Sequence, residues 1–273
     1  GRLALPEALV ARLSGYQVVT YILDDALPGW RGTLGRLGPW VAAHDVIATS
    51  QRHADSLRLR GRNPRIVYTS TPLPDDVAAR AEPAPGRPVV VGTLGLISPR
   101  KGTDLFVEMA RLLREQGSPV ELRVAGGMEP SYLRDWALEQ IRAGEPLGIE
   151  FLGHVDDPEA ELREWDVMVL PSRGDPFPLS VLEAMAYSIP VVGADVEGIS
   201  EQLADGAGVL VPTENPRALA DAVHALALDP ERRAELGAAG ARRVREHFTI
   251  GHSADALEDA WRAHVANTAA TSE

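Results

Sequence analysis

DVMVLPSRGDPFPLSVLEAMAYSIPVVGADVEGISEQLADGAGVLVP, residues 166–212, decides the fold. DVMVLPS (166–172) is an uninterrupted apolar run that reads as a strand, and RGDPFP after it is a turn with two prolines. LSVLEAMAY (179–187) has the spacing of a buried helix. PVVGA (190–194) is a second strand, 199–204 a short helix, and GVLVP (208–212) a third strand. None of the three strands alternates polar with apolar residues. Strands that are apolar on both faces belong to parallel sheets covered by helices on both sides.

The same alternation extends upstream. Further strands are read in VVVGTLG (89–95), VELRVAG (120–126) and IEFLG (149–153), with helical stretches at 102–116, 131–143 and 158–164. Downstream, helical patterns cover 215–228, 230–247 and 253–266. Nearer the start, Ala4 to Leu13 reads as a helix, and QVVTYIL (17–23), DVIATS (45–50) and RIVYTS (65–70) read as strands. AEPAPGRP (81–88) holds three Pro and one Gly in eight residues and is the clearest boundary. The expected fold class is α/β, with two Rossmann-like parallel-sheet domains. The expected division is a partial domain over 1–84, a complete one over 85–247, and a closing helix with a frayed tail over 248–273. The chain opens in mid-pattern without an initiator Met, so an N-terminal segment is expected to be missing.

Composition narrows the function. The 273 residues are 45% hydrophobic and 24% charged, as in ordinary globular proteins. A net charge of −12 disfavours nucleic acid and anionic membrane as partners. No window has the length and apolarity of a membrane span. With no cysteine there is no disulfide, zinc-thiolate site or cysteine nucleophile, which is compatible with a cytoplasmic setting. The seven histidines show no H-x-x-x-H or H-E-x-x-H spacing, so no metal site is expected. Asp24-Asp25 reads as a strand-end turn before a metal pair, and Asp156-Asp157 as a cap before Pro158. The G-x-S-x-G, G-x-x-x-x-G-K-[ST] and G-x-G-x-x-G motifs are absent.

In open parallel α/β sheets, ligands bind beyond the carboxyl ends of the strands. The loops that matter are therefore Gly95–Gly102, Gly126–Gly127, Gly153–Val155, Ser172–Pro178 and Glu197–Ser200. Lys101 stands out because every other one of the 27 basic residues is Arg. It lies where a helix is about to start, and an ammonium beside that dipole is accommodated best with an anion bound. A solvated loop lysine is the equal alternative. Asp175 lies in the proline-rich turn, and Glu183 falls on the stripe of Leu179, Leu182 and Ala186. A carboxylate on an apolar face needs a partner. Either the two acids meet a hydroxyl-rich ligand, or Asp175 caps the turn and Glu183 pairs with an Arg. Gly198 offers backbone amides at a helix start, with Glu201 in the first turn, or the two are simply helix-start chemistry.

Taken in order, GLISPRKGTDLF, VELRVAGG, IEFLGHV and the 166–212 stretch resemble the retaining glycosyltransferases of family 4, of GT-B architecture. The likeness covers roughly residues 89–247. DVIATSQRHADSLRLRG and RIVYTSTPLP resemble the end of that family's N-terminal domain, and 253–266 its crossing-back helix. The resemblance implies a nucleoside-diphosphate sugar donor, an unidentified hydroxyl acceptor, retention of anomeric configuration, and neither cofactor nor metal. It implies that Lys101 binds pyrophosphate, Asp175 the sugar hydroxyls and Glu183 the ribose. The loop amides of Phe177, Pro178, Leu179 and Ser180 would meet sugar and diphosphate, and Gly153, His154 and Val155 the base. Gly95, Arg100, Gly127 and Gly198 complete the implied binding residues.

Four positions depart from the family pattern. Leu96 stands where Arg is usual, so the second phosphate cation is either missing or supplied by Arg100 or Arg173. The first acid is Asp instead of Glu, Glu197-Gly198 replaces Gly-Gly, and Leu23 occupies the place of a catalytic His. A non-catalytic nucleotide-sugar-binding or partner subunit is the main alternative. A sugar-nucleotide epimerase is disfavoured by the D-x7-E pair at Asp175 and Glu183.

Overall fold

The computed structural model describes residues 19–22, 44–57, 63–74, 87–128 and 133–270. The expected helix from Ala4 to Leu13, Leu23, Asp24-Asp25 and most of the 81–88 stretch lie outside these residues. Contacts divide the chain into two units: the described residues up to Ser70 and from Phe248 onward, and Thr71–His247.

The first unit holds a parallel sheet ordered β1 (Val19–Ile22), β2 (Asp45–Ala48), β3 (Arg65–Ile66). The central strand is covered on both sides, as its apolar sequence predicts. Val46 and Ala48 pack with Ala54 and Leu57 of α1 (Gln51–Leu57). Ile47 faces the other way, and with Val67 it packs against Ala260 of the last helix, α9 (Ile250–Ala270). Period-two alternation puts neighbouring residues on opposite faces. The Ser253 hydroxyl of α9 donates to the Tyr68 carbonyl at 2.7 Å. The α1 helix was not among the helical patterns read from the sequence.

The second unit alternates strand and helix as the sequence predicts. Its elements are β4 (Val89–Leu94), α2 (Thr103–Glu115), β5 (Val120–Ala125), α3 (Arg134–Gly144), β6 (Ile149–Gly153), α4 (Pro158–Glu164), β7 (Val167–Leu170), α5 (Leu179–Ala186), β8 (Val191–Ala194), α6 (Glu197–Gln202), β9 (Val209–Val211), α7 (Pro216–Leu228) and α8 (Pro230–His247). The six strands are all parallel and lie in the order β6-β5-β4-β7-β8-β9. On one face Val91, Leu122, Val167 and Val169 form a core with Phe106, Met109 and Leu113 of α2 and Leu219 and Val223 of α7. Met168 and Leu170 alternate to the opposite face and are also buried.

The order of the strands places the site. The chain builds outward from β4 through β5 to β6, then returns to lay β7 on the other side of β4. Adjacent loops after β4 and β7 therefore diverge in opposite directions, which opens a crevice at their carboxyl ends.

The expected element boundaries shift by up to four residues, with one consequence. Helix α6 starts at Glu197, two residues before the sequence reading, after an extended Val196. The acid in its first turn is Glu197, and Glu201 falls near its end.

Candidate functional site

The loop after β4 carries Lys101 to the mouth of α2. Ser98 organises it: its hydroxyl accepts from the Lys101 amide at 3.3 Å, and its own amide donates to Thr103 Oγ1 at 3.2 Å. Gly102 then adopts φ +72°, and a Cβ there would stand 2.1 Å from the carbonyl oxygen of Pro171. Only glycine fits that left-handed, closely packed position. The β4 loop is thereby held against the end of β7.

That closeness brings Lys101 to Asp175. Lys101 Nζ lies 2.5 Å from Asp175 Oδ2, although the two residues are 74 apart in sequence. Both are withdrawn from water, with side-chain exposures of 16% and 7%. The Lys101 stem runs along Gly95, with Cε and Cδ 3.5 and 3.6 Å from where a Cβ on that glycine would be. A small concavity lies here between the ends of β4 and β7; its lining includes Gly95, Leu96, Lys101, Thr103 and Pro171. Asp175 does not cap α5, which begins at an extended Pro178 with no side-chain cap.

The two arginines considered as second cation are sharply distinguished. Arg100 Nη1 lies 3.3 Å from the Gly174 carbonyl and 3.9 Å from Asp175 Oδ2, with 37% of its side chain exposed. It stands beside the Lys101–Asp175 pair with donors to spare. Arg173 is committed elsewhere. It grips Asp104 through two bonds of 2.8 and 2.7 Å, Glu214 at 2.8 Å and the Pro99 carbonyl at 2.7 Å. Its hydrogen bond to Asp104 and then that to Glu214 hold its guanidinium still more firmly protonated than usual, against partial burial. Of the two arginines, Arg173 therefore has its donors engaged by Asp104, Glu214 and Pro99, and Arg100 is the freer.

Glu183 is half-buried on α5, and no group among the described residues pairs with its carboxylate. Burial raises its pKa above the usual carboxylate value of 4.5, and the nearby Glu159 charge adds to that. The Arg partner that would have made it structural is absent among the described residues. The apolar stripe read around it is only partly buried, since Leu179 is exposed while Leu182 and Ala186 are not. Lys101 and Asp175 thus form one contact pair, and Glu183 stands outside that pair.

The remaining expected residues are placed as follows. Phe177 and Pro178 are buried, Leu179 is exposed and Ser180 is intermediate. Pro178 has no N–H to give, so the amides available there are those of its neighbours. Its carbonyl accepts instead from Gln202 Nε2 at 2.9 Å. The Gly198 amide donates to the Asp175 carbonyl at 3.2 Å. The Gly127 carbonyl accepts from Ile97 at 2.9 Å, and the Gly153 carbonyl from Gly126 at 2.7 Å, which ties together the loops after β4, β5 and β6. His154 is exposed, 3.7 Å from Asp156, and Val155 is intermediate. Asp157 caps α4 by accepting from Ala160 at 3.0 Å. Among the described residues no group of three His, Asp or Glu side chains could hold a metal ion, and no helix is long and apolar enough to cross a membrane.

Gln202 and Asp104 were missed by the sequence reading. A polar residue beside Ile199 and Leu203 on a buried helix face is the signal that marks Gln202. Asp104 reads as an ordinary first-turn acid, and nothing local announces its Arg173 partner.

Residues 88–229 match the family model described as "Glycosyl transferases group 1". A D-inositol 3-phosphate glycosyltransferase of Kineococcus radiotolerans is 35% identical, over 84% of this chain and 59% of its own length. The lipopolysaccharide core biosynthesis mannosyltransferase LpsB of Rhizobium meliloti is 33% identical, over 61% of this chain and 49% of its own. The chain thus spans about half the length of these curated relatives. Among solved structures, Anabaena HepE in complex with UDP and glucose superposes with a TM-score of 0.80 at 19% identity, covering 96% of this chain and 76% of that one. The C-terminal domain of a group 1 glycosyl transferase (LpcC) from Francisella tularensis is 26% identical with a TM-score of 0.54, covering 62% of this chain and 96% of that one. The two α/β units match a GT-B-like fold.

Proposed function

The chain belongs to the group 1 glycosyl transferases, and from that premise we propose that it binds a nucleoside-diphosphate sugar and transfers the sugar, with retention of anomeric configuration, to a hydroxyl acceptor. The finer assignment is to family 4 of the retaining enzymes, working without a metal or cofactor. The observation that carries this reading is the Lys101–Asp175 pair at the β4/β7 crevice. A cation and a hydroxyl acceptor group side by side suit the junction of a sugar and a diphosphate.

In this reading Lys101 and Arg100 meet the diphosphate, with Gly95 allowing close approach. The amides of Phe177, Leu179 and Ser180 add the positive end of α5. Asp175 accepts from sugar hydroxyls, Glu183 from the ribose, and Gly153, His154 and Val155 border the base. Charge builds on the leaving diphosphate oxygen as the glycosidic bond breaks. Preformed donors aimed at that oxygen stabilise the transition state more than the ground state. The acceptor hydroxyl enters on the face the diphosphate leaves, and a leaving phosphate oxygen takes its proton. Little covalent chemistry is asked of the protein.

Calorimetric titration with UDP-glucose, GDP-mannose, UDP and GDP tests the donor site. Saturable binding that falls in both Lys101→Ala and Glu183→Gln supports it. Absence of binding by every donor sinks it. Binding without transfer or donor hydrolysis across an acceptor panel leaves the non-catalytic alternative standing instead.

A further inference from the structure

We propose that Gln202 is a positioning residue for the donor's diphosphate, acting through the first turn of α5. The inference rests on the donor-site reading above. Helix α6 grips the loop between β7 and α5 at both ends. The Gly198 amide holds the Asp175 carbonyl at 3.2 Å, and the Gln202 side chain holds the Pro178 carbonyl at 2.9 Å. The two surfaces press together so closely that a Cβ on Gly198 would stand 2.0 Å from the Pro176 carbonyl oxygen.

The Gln202 amide is fully buried, yet only half of it is used. Its exposure is 0%, and its Oε1 has no hydrogen-bond partner among the described residues. A buried acceptor left unmade is costly, and an apolar side chain of similar length fills the same space without it. What glutamine adds is one directional donor on the Pro178 carbonyl. That carbonyl belongs to the residue capping α5, so its direction sets the direction of the first helical turn. The amides of Leu179 and Ser180 in that turn are the ones assigned to the diphosphate and sugar. Gln202 touches no ligand in this scheme. It aims the donors that do.

The test compares wild type with Gln202→Met and Gln202→Glu, using the uridine or guanosine series that wild type binds. Affinities for the nucleoside monophosphate, the diphosphate and the diphosphate sugar are measured by calorimetry, with thermal midpoints recorded alongside. Gln202→Met is expected to bind the monophosphate as wild type does and the diphosphate and its sugar about tenfold more weakly, the effect of losing roughly one directed hydrogen bond. Gln202→Glu lacks the donor while ionised. Burial favours its protonated form, which can donate to the Pro178 carbonyl. Its diphosphate affinity is expected to recover toward wild type as pH falls from about 8 to about 6, relative to wild type at each pH. Equal weakening toward all three ligands, a lowered melting point with unchanged affinities, or no recovery in Gln202→Glu would overturn the proposal. Wild type that binds no nucleotide overturns the donor-site reading and this inference together; wild type and variants that bind alike overturn the inference alone.

Discussion

Lys101 and Asp175 close a 2.5 Å ion pair across the β4/β7 crevice, one from each of the two loops that diverge there. The pair means that a diphosphate arriving at Lys101 competes with, or shares, a carboxylate already in place. Lys101→Ala removes the cation and leaves a buried acid with only Arg100 nearby. Diphosphate affinity is expected to fall by about 1.5–3 kcal/mol, the scale of one charged hydrogen bond. Asp175→Asn should separate the two roles. It frees Lys101, so UDP or GDP binds at least as well as before, while the extra affinity for the attached sugar is lost. Paired titrations of nucleotide and nucleotide sugar check this; parallel loss of both in Asp175→Asn would refute the division of labour.

Arg100 and Arg173 are expected to behave oppositely. Arg100→Ala weakens diphosphate binding and leaves the melting temperature nearly unchanged, because its bonds are few and it is partly exposed. Arg173→Ala breaks the clamp to Asp104, Glu214 and the Pro99 carbonyl. It costs about 1 kcal/mol of stability, a figure held down by partial exposure, with little change in the affinity of whatever folds. Calorimetry and thermal melts on both variants decide which arginine belongs to the ligand.

Glu183 carries a pH signature. Burial and the Glu159 charge raise its folded pKa above the ordinary 4.5. Between those two values the folded chain binds more protons than the unfolded one, so stability falls as pH rises through that window. Glu183→Gln abolishes the penalty. The variant should melt above wild type near neutral pH, and the difference should vanish as pH drops below about 4. If Glu183 meets the ribose, the same variant binds nucleotide more weakly while being more stable, a trade expected of a site kept costly for function. Melting curves across pH, set beside titrations at pH about 7, check both halves.

Gly102→Ala is expected to be destabilising out of proportion to one methyl group. The residue sits at φ +72° with the Pro171 carbonyl 2.1 Å from any Cβ. A left-handed β-carbon and a backbone clash together cost about 2–3 kcal/mol. Because Gly102 holds the two loops together, nucleotide affinity should fall with stability. Urea unfolding and calorimetry on the same preparation measure the two; a fully stable variant would show that the loop can move aside.

The sequence by itself settled the fold class. The central strands β4, β7 and β8 are apolar runs, so burial on both faces and a parallel sheet follow from composition and spacing alone. It also singled out Lys101, Asp175 and Glu183, because a lone lysine at a helix start and acids among apolar residues are anomalies visible in one dimension. Strand neighbours are not local information. That β7 returns beside β4, and so sets Lys101 on Asp175, is decided by the packing of helices over the sheet. The same packing diverted Arg173 to Asp104 and Glu214, turned Gly198 toward the Asp175 carbonyl, and buried Gln202 against Pro178. Each is a polar group choosing a partner tens of residues away. Spacing along a chain cannot rank such partners, because the choice depends on which donors and acceptors the tertiary fold strips of water at the same place.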